Sequence, residues 1–256
     1  MIMETDETES STSNQVLFIA ISSMFIALTA VVTLTLRINF PASGGYFNLG
    51  EVIIFMSALL FGRYVGALAG GVGAAIADLI GYPIFAPGTL VVKALEGFII
   101  GYLVEKIGSN GMHLREEPGG KPDEDISNRI ILLILGFIIS TLIVSLGWIF
   151  VPEGIVLWLL MATIFAATMV YASVQVNTNF YSLLIAISAG VGIMITGYFV
   201  YEAYILRISV YDAFKEIPIN LLQGCIGIIV VLPIHQAILK SGIIQDIKIV
   251  KGKIMT

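Results

Sequence analysis

Charge is what this sequence has least of. Asp, Glu, Lys and Arg make up 12% of its 256 residues, about half the share of a soluble domain. Hydrophobic residues reach 57%, where a soluble domain holds about 45–50%. A soluble globular chain is excluded, and so is a disordered one, which needs low hydrophobicity and high net charge. There is no basic tract, and the net charge of -5 offers nucleic acid nothing to grip. A single cysteine, Cys225, excludes an internal disulfide and leaves no Cys cluster for metal or redox chemistry. No glycine run precedes Lys-Ser or Lys-Thr, so the Walker A route to ATP hydrolysis is missing. The leading residues carry Glu4, Asp6, Glu7 and Glu9 in place of a signal peptide's positive n-region. They read as an acidic cytoplasmic segment, 1–15, followed by a helix that stays as an anchor.

What is abundant is apolar length. A helix needs roughly 20 apolar residues to cross the hydrocarbon core. Uncharged stretches at 16–36, 130–150, 155–176 and 180–201 meet that requirement. A fifth, 217–239, is free of charge but carries Pro218 and Pro233, which are expected to shorten or kink it. Between Tyr46 and Lys106 the apolar run is interrupted by Glu51, Arg63, Asp78, Lys93 and Glu96. Its length fits three helices, broken at Gly62-Arg63 and near Gly81-Tyr82-Pro83. The expected fold is an all-α polytopic bundle of about eight spans. With eight, one face collects nine Lys and Arg residues and the other only Arg37, Arg207 and Lys215. Both termini are therefore expected in the cytoplasm, because cytoplasmic loops concentrate positive charge. The organisation reads as helices over 16–107, a flexible cytoplasmic loop at 108–129, a helical pair at 130–176, two last helices over 177–240 and a basic cytoplasmic tail at 241–256.

Within this frame, several residues could carry chemistry. Ionisable groups at membrane depth are costly unless paired or hydrated. Lys93 and Glu96 lie three apart on one helix face and can pair; Asp78 could partner Lys93 across the hairpin. The set reads either as a self-neutralising structural network or as a ligand or proton site. Glu202 closes Gly-Tyr-Phe-Val-Tyr-Glu at a helix end, where a solvated interfacial carboxylate needs no special role. Asn220 and Gln223 are also three apart, and hydrogen bonding between helices is their plain explanation. His235 reads as satisfied or interfacial, and Cys225 as a small apolar filler. Gly62, Gly66 and Gly70, with Ala69, Gly73 and Ala77, recur at four-residue spacing, the pattern of a closely packed core helix. Ala20, Ser23, Ala27 and Ala30 share one face of the first helix and suit packing within the chain or docking on another subunit. The loop from Arg37 to Glu51 combines turn formers with Tyr46, Phe47 and Asn48. It reads as a plain connection or as a lid, since aromatic faces and amides together recognise flat polar heterocycles.

The run PASGGYFNLGEVIIFMSALLFGRYVGALAGGVGAAIADLI, followed by FAPGTLVVKALEG, GYFVYEAY and EIPINLLQGCIGIIVVLP, resembles the substrate-binding S components of energy-coupling factor (ECF) transporters. The likeness covers about the first 107 residues and the last 75. The resemblance implies a six-helix membrane protein that binds a vitamin or its precursor tightly on the outer side. It further implies a transmembrane coupling subunit and two cytoplasmic ATPases as partners, no cofactor, and toppling in the membrane to release cargo. Tyr46 and Asn48 would belong to the capping loop, with Glu51 behind it. Lys93 and Glu96 match the family's Lys-x-x-Glu; Tyr198, Glu202, Asn220 and Gln223 match the late motifs that face the pocket. The family's Ala-x-x-x-Ala docking motif has its nearest match in Ser23-x-x-x-Ala27. Six core helices against eight expected spans leaves the pair at 130–150 and 155–176 as an inserted hairpin, joined at 151–154.

The expected function is therefore capture of a vitamin-like nutrient, such as riboflavin or a pyrimidine precursor, in the cell membrane without catalysis. The alternative is an ion- or proton-coupled secondary transporter that relays charge through Asp78, Lys93 and Glu96. A membrane enzyme has no paired Asp or His metal motif and no nucleophile with a base at recognisable spacing to support it.

Overall fold

The computed structural model describes residues 2–39, 46–109, 122–150, 152, 155–174, 178–241 and 243–255. Helix α1, Ile2–Thr35, is followed by a two-stranded hairpin, β1 (Ile38–Asn39) and β2 (Tyr46–Phe47), then α2, Gly50–Phe61. Ile38 pairs with Phe47 and Asn39 with Tyr46, antiparallel. Next come α3 (Arg63–Leu68), a π-helical turn at Ala69–Gly73, α4 (Ala74–Gly81) and α5 (Ala86–Ser109). Helices α6 (Pro122–Phe150) and α7 (Ile155–Val174) form a hairpin. Helix α8 (Thr178–Val200) runs into a second π-helical turn at Tyr201–Ile205. Helices α9 (Val210–Lys240) and α10 (Ile244–Met255) complete the chain.

Among the described residues, six helical stretches are long and apolar enough to cross a membrane: Thr12–Thr35, Arg63–Gly81, Ala86–Lys106, Arg129–Ile149, Leu183–Ile205 and Val210–Lys240. One of the eight expected spans, Gly50–Phe61, is shorter. With 12 residues, α2 rises only about 18 Å at 1.5 Å per residue, well short of the roughly 30 Å hydrocarbon core. It is largely buried, packed by α1, α5 and α9, with Ile54, Phe55 and Ala58 at most 1% exposed.

Small residues set the spacing between α3 and α5. A Cβ built on Gly97 would stand 2.2 Å from the Gly66 carbonyl oxygen, and one on Gly70 would stand 2.4 Å from that of Lys93. The two backbones touch, as the glycine repeat leads one to expect. Gly62 makes the corner between α2 and α3 at φ +89°, a conformation that costs glycine no Cβ clash. The backbone N–H of Arg63 then donates to Glu105 Oε1 (3.0 Å).

Three boundaries differ from the sequence expectation. The glycine-rich helix is not continuous: Ala69–Gly73 widens into a π turn beside α1 and α5. Helix α9 runs unbroken through Pro218 and Pro233 and is not shortened. Its start is well capped, with Ser209 Oγ accepting from the Asp212 backbone N–H (3.1 Å). The polar linker at 108–129 narrows, because α5 reaches Ser109 and α6 begins at Pro122. Proline at a first helical position and acidic residues in the first turn both favour a start there. The rest of that loop and the 151–154 connection, Pro152 apart, lie outside the described residues.

The hairpin α6–α7 sits to one side: α6 packs on α7, and α7 packs on α9. Its own small core of Ile143, Trp158, Met161 and Ala162 includes Phe214, Leu221 and Leu222 of α9, with the Trp158 and Phe214 rings stacked at 5.5 Å. At the end away from the β-hairpin, α10 closes under α1, α2 and α9. Burial there lowers the Lys251 pKa, partly offset by Glu105.

Candidate binding site

A cavity enclosing about 540 Å³ of space outside protein atoms, part of it open to solvent, lies beneath the β-hairpin. Eight of the nine residues singled out as substrate-binding line it: Tyr46, Asn48, Glu51, Lys93, Tyr198, Glu202, Asn220 and Gln223. They come from β2, α2, α5, α8 with its π turn, and α9, so no single segment builds the wall.

Lys93 is the hub. Its Nζ donates to Glu51 Oε1, to Glu96 Oε2 (2.9 Å) and toward Met194 Sδ. Lys93, Glu51 and Glu96 are all buried, and an ammonium at that depth persists only because carboxylates flank it. Glu96, the ninth candidate, is not in the wall; it holds Lys93 from behind. Gln223 Nε2 donates to Glu51 Oε1 (2.8 Å), and Gln223 Oε1 accepts from the Asn48 backbone N–H and from Asn48 Nδ2 (both 3.1 Å). Asn48 Oδ1 in turn accepts from the Gly50 N–H (2.7 Å). The chain runs unbroken from the hairpin to α5.

Asp78 does not pair with Lys93. Its oxygens accept from the Tyr46 hydroxyl and from Thr89 Oγ1 (2.5 Å); Thr89 Oγ1 accepts from the Tyr198 hydroxyl (3.0 Å). Burial, with Asp78 alongside, raises the Tyr46 pKa and keeps the phenol protonated. The Tyr46 ring stacks on Tyr82 at 4.9 Å, and the Arg37 guanidinium lies 4.3 Å from the centre of the Tyr46 ring. Tyr82 also donates to Asn39 Oδ1 (2.9 Å). The loop from Arg37 to Glu51 is thus pinned across the cavity mouth at both strands; residues 40–45 lie outside the described residues.

Glu202 is not an interfacial carboxylate. It is 4% exposed, faces the cavity, and its Oε2 has no hydrogen-bond partner. Glu216, Thr33 and Thr89 also line the cavity without having been singled out. Glu216 was legible: it precedes Asn220 by four residues and Gln223 by seven, the spacing of one helix face. His235 is buried with an unpartnered Nδ1, and Cys225 is buried in α9, away from the cavity. On α1, Ala20, Ser23 and Ala27 are exposed, whereas Ala30 is 7% exposed and turns inward; the small-residue stripe is shorter than its spacing implied.

Residues 12–119 match the model of the ECF-type riboflavin transporter S component family. The resemblance read from the motifs is borne out over that stretch, which holds α1 to α5 and five of the nine candidate residues. The S-component match and the apolar helices together make this a multi-pass membrane protein. The matched family is a transporter component and not an enzyme family. A Pyrococcus woesei protein described as "Uncharacterized protein in gap 3'region" is 54% identical over 72 residues, 28% of this chain. The chain spans about half the length of that curated relative, 49%.

Proposed function

We propose that this protein captures a small vitamin-like nutrient in the cavity beneath the β-hairpin and delivers it through a partner coupling subunit and cytoplasmic ATPases. The observation that carries the reading is convergence. Residues from five separate elements meet in one polar cavity, beside an apolar core that includes Phe55, Ile100 and Met194. In this reading the β-hairpin faces outward and both termini face the cytoplasm, as the lysine and arginine bias favours. The exposed small residues Ala20, Ser23 and Ala27 are the docking face for the coupling subunit, where short side chains allow close helix approach.

The test is mass spectrometry of small molecules released from the purified full-length protein, followed by a binding titration. A tightly held, nutrient-sized compound is expected. Asn220→Ala removes an amide from the wall and is expected to weaken binding by about tenfold, or ~1.4 kcal/mol, with the unfolding temperature unchanged. An empty protein whose uptake in vesicles follows the proton gradient and ignores partner ATPases would instead favour the secondary-transporter reading.

A further inference from the structure

The hydrogen-bond inventory of the cavity is lopsided, and its imbalance specifies a ligand class. Most of its donors are consumed within the protein, the Asn220 amide and the Thr33 hydroxyl being left over. Lys93 is spent on Glu51, Glu96 and Met194; the Gln223 amide on Glu51; and the hydroxyls of Tyr46 and Thr89 on Asp78. What remains is mostly acceptor. Glu51 Oε2 and Glu202 Oε2 are buried without partners, and both residues line the cavity. Glu216 lines it too. With Asp78, the cavity wall holds four carboxylates against one ammonium.

Unsatisfied buried carboxylates are expensive, and several of them in one cavity add to the cost. A guest that brings positive charge and N–H groups relieves both. Among the described residues no group of three His, Cys, Asp or Glu is arranged to hold a metal ion, which favours an organic guest over an inorganic one. We propose that the ligand is an organic cation with N–H donors, an amine or protonated amino-heterocycle, whose charged end lodges against Glu202 and Glu216. This rests on the capture reading and narrows it: a neutral isoalloxazine brings no positive charge to set against the carboxylates of the wall.

The experiment incubates purified full-length protein in detergent with a defined equimolar mixture of nutrients. The cations are thiamine and 4-amino-5-aminomethyl-2-methylpyrimidine; riboflavin and nicotinamide are neutral; nicotinate and biotin are anionic. Retained compounds are identified by mass after gel filtration. Retention of a cation is expected, reduced about tenfold or more in Glu202→Gln, since a charge-assisted bond is lost while shape is kept. Glu216→Gln is measured alongside in case Glu202→Gln fails to fold, with the same expectation. Retention of riboflavin, nicotinamide or an anion overturns the cationic assignment and leaves the capture reading standing. Retention of a cation with equal strength by wild type and both folded variants also overturns it. Retention of nothing overturns both.

Discussion

Lys93 shows how a single residue serves fold and site together. Its ammonium is buried between Glu51 and Glu96, so Lys93→Ala would strand two carboxylates in the core. Breaking a buried pair in this way costs about 3–5 kcal/mol, and thermal unfolding in detergent is expected to show the loss directly. The triple variant Lys93→Met, Glu51→Gln, Glu96→Gln removes all three charges and is expected to recover most of that stability, because an uncharged set of similar volume carries a much smaller desolvation penalty. Legibility divides along the same line. The Lys93–Glu96 contact follows from helical spacing alone. The Glu51 contact joins residues 42 positions apart, and no periodicity links them. Asp78 makes the point in reverse: proximity in sequence pointed to Lys93, but the partners are a hairpin tyrosine and a threonine one helix away.

At the scale of elements, glycine spacing dictates how closely helices approach. The three atoms nearest a Cβ on Gly97 are backbone atoms of Gly66 and Ala67, which cannot rotate away, so α3 and α5 must separate. Gly97→Ala is expected to destabilise the protein by about 1–3 kcal/mol. Gly192→Ala on α8, where a Cβ meets nothing within 4 Å, is expected to be neutral or stabilising by up to about 1 kcal/mol. Unfolding temperatures of the two variants measured side by side check the contrast. The helices themselves were readable from apolar length and charge-free runs. Their exact form was not. The π turns at Ala69–Gly73 and Tyr201–Ile205 and the continuity of α9 through two prolines depend on neighbours that satisfy the freed backbone groups.

At the scale of the whole molecule, α6 and α7 stand apart from the cavity. None of its lining residues belongs to them, and they contact α9 through Phe214, Leu221 and Leu222. Replacing residues 122–177 by a flexible linker exposes those side chains to lipid, which is as apolar as the hairpin was. The shortened protein is expected to bind the same compound within about tenfold, or ~1.4 kcal/mol, in a titration beside the full chain. The sequence alone determined that this is a helical membrane protein, where its apolar segments lie, and which polar residues are too costly at membrane depth to be accidental. Those conclusions follow from local composition and from the free energy of placing each group in lipid. Only the tertiary structure decided that α2 is a short, largely buried helix, that Asp78 and Lys93 belong to separate hydrogen-bond networks, and that Glu202 and Glu216 share a cavity with the hairpin tyrosine. These facts are set by packing between segments up to 170 or so residues apart, as in the bond from Gln223 to Glu51. Such pairings are fixed by which surfaces fit together, and a one-dimensional pattern does not carry that information.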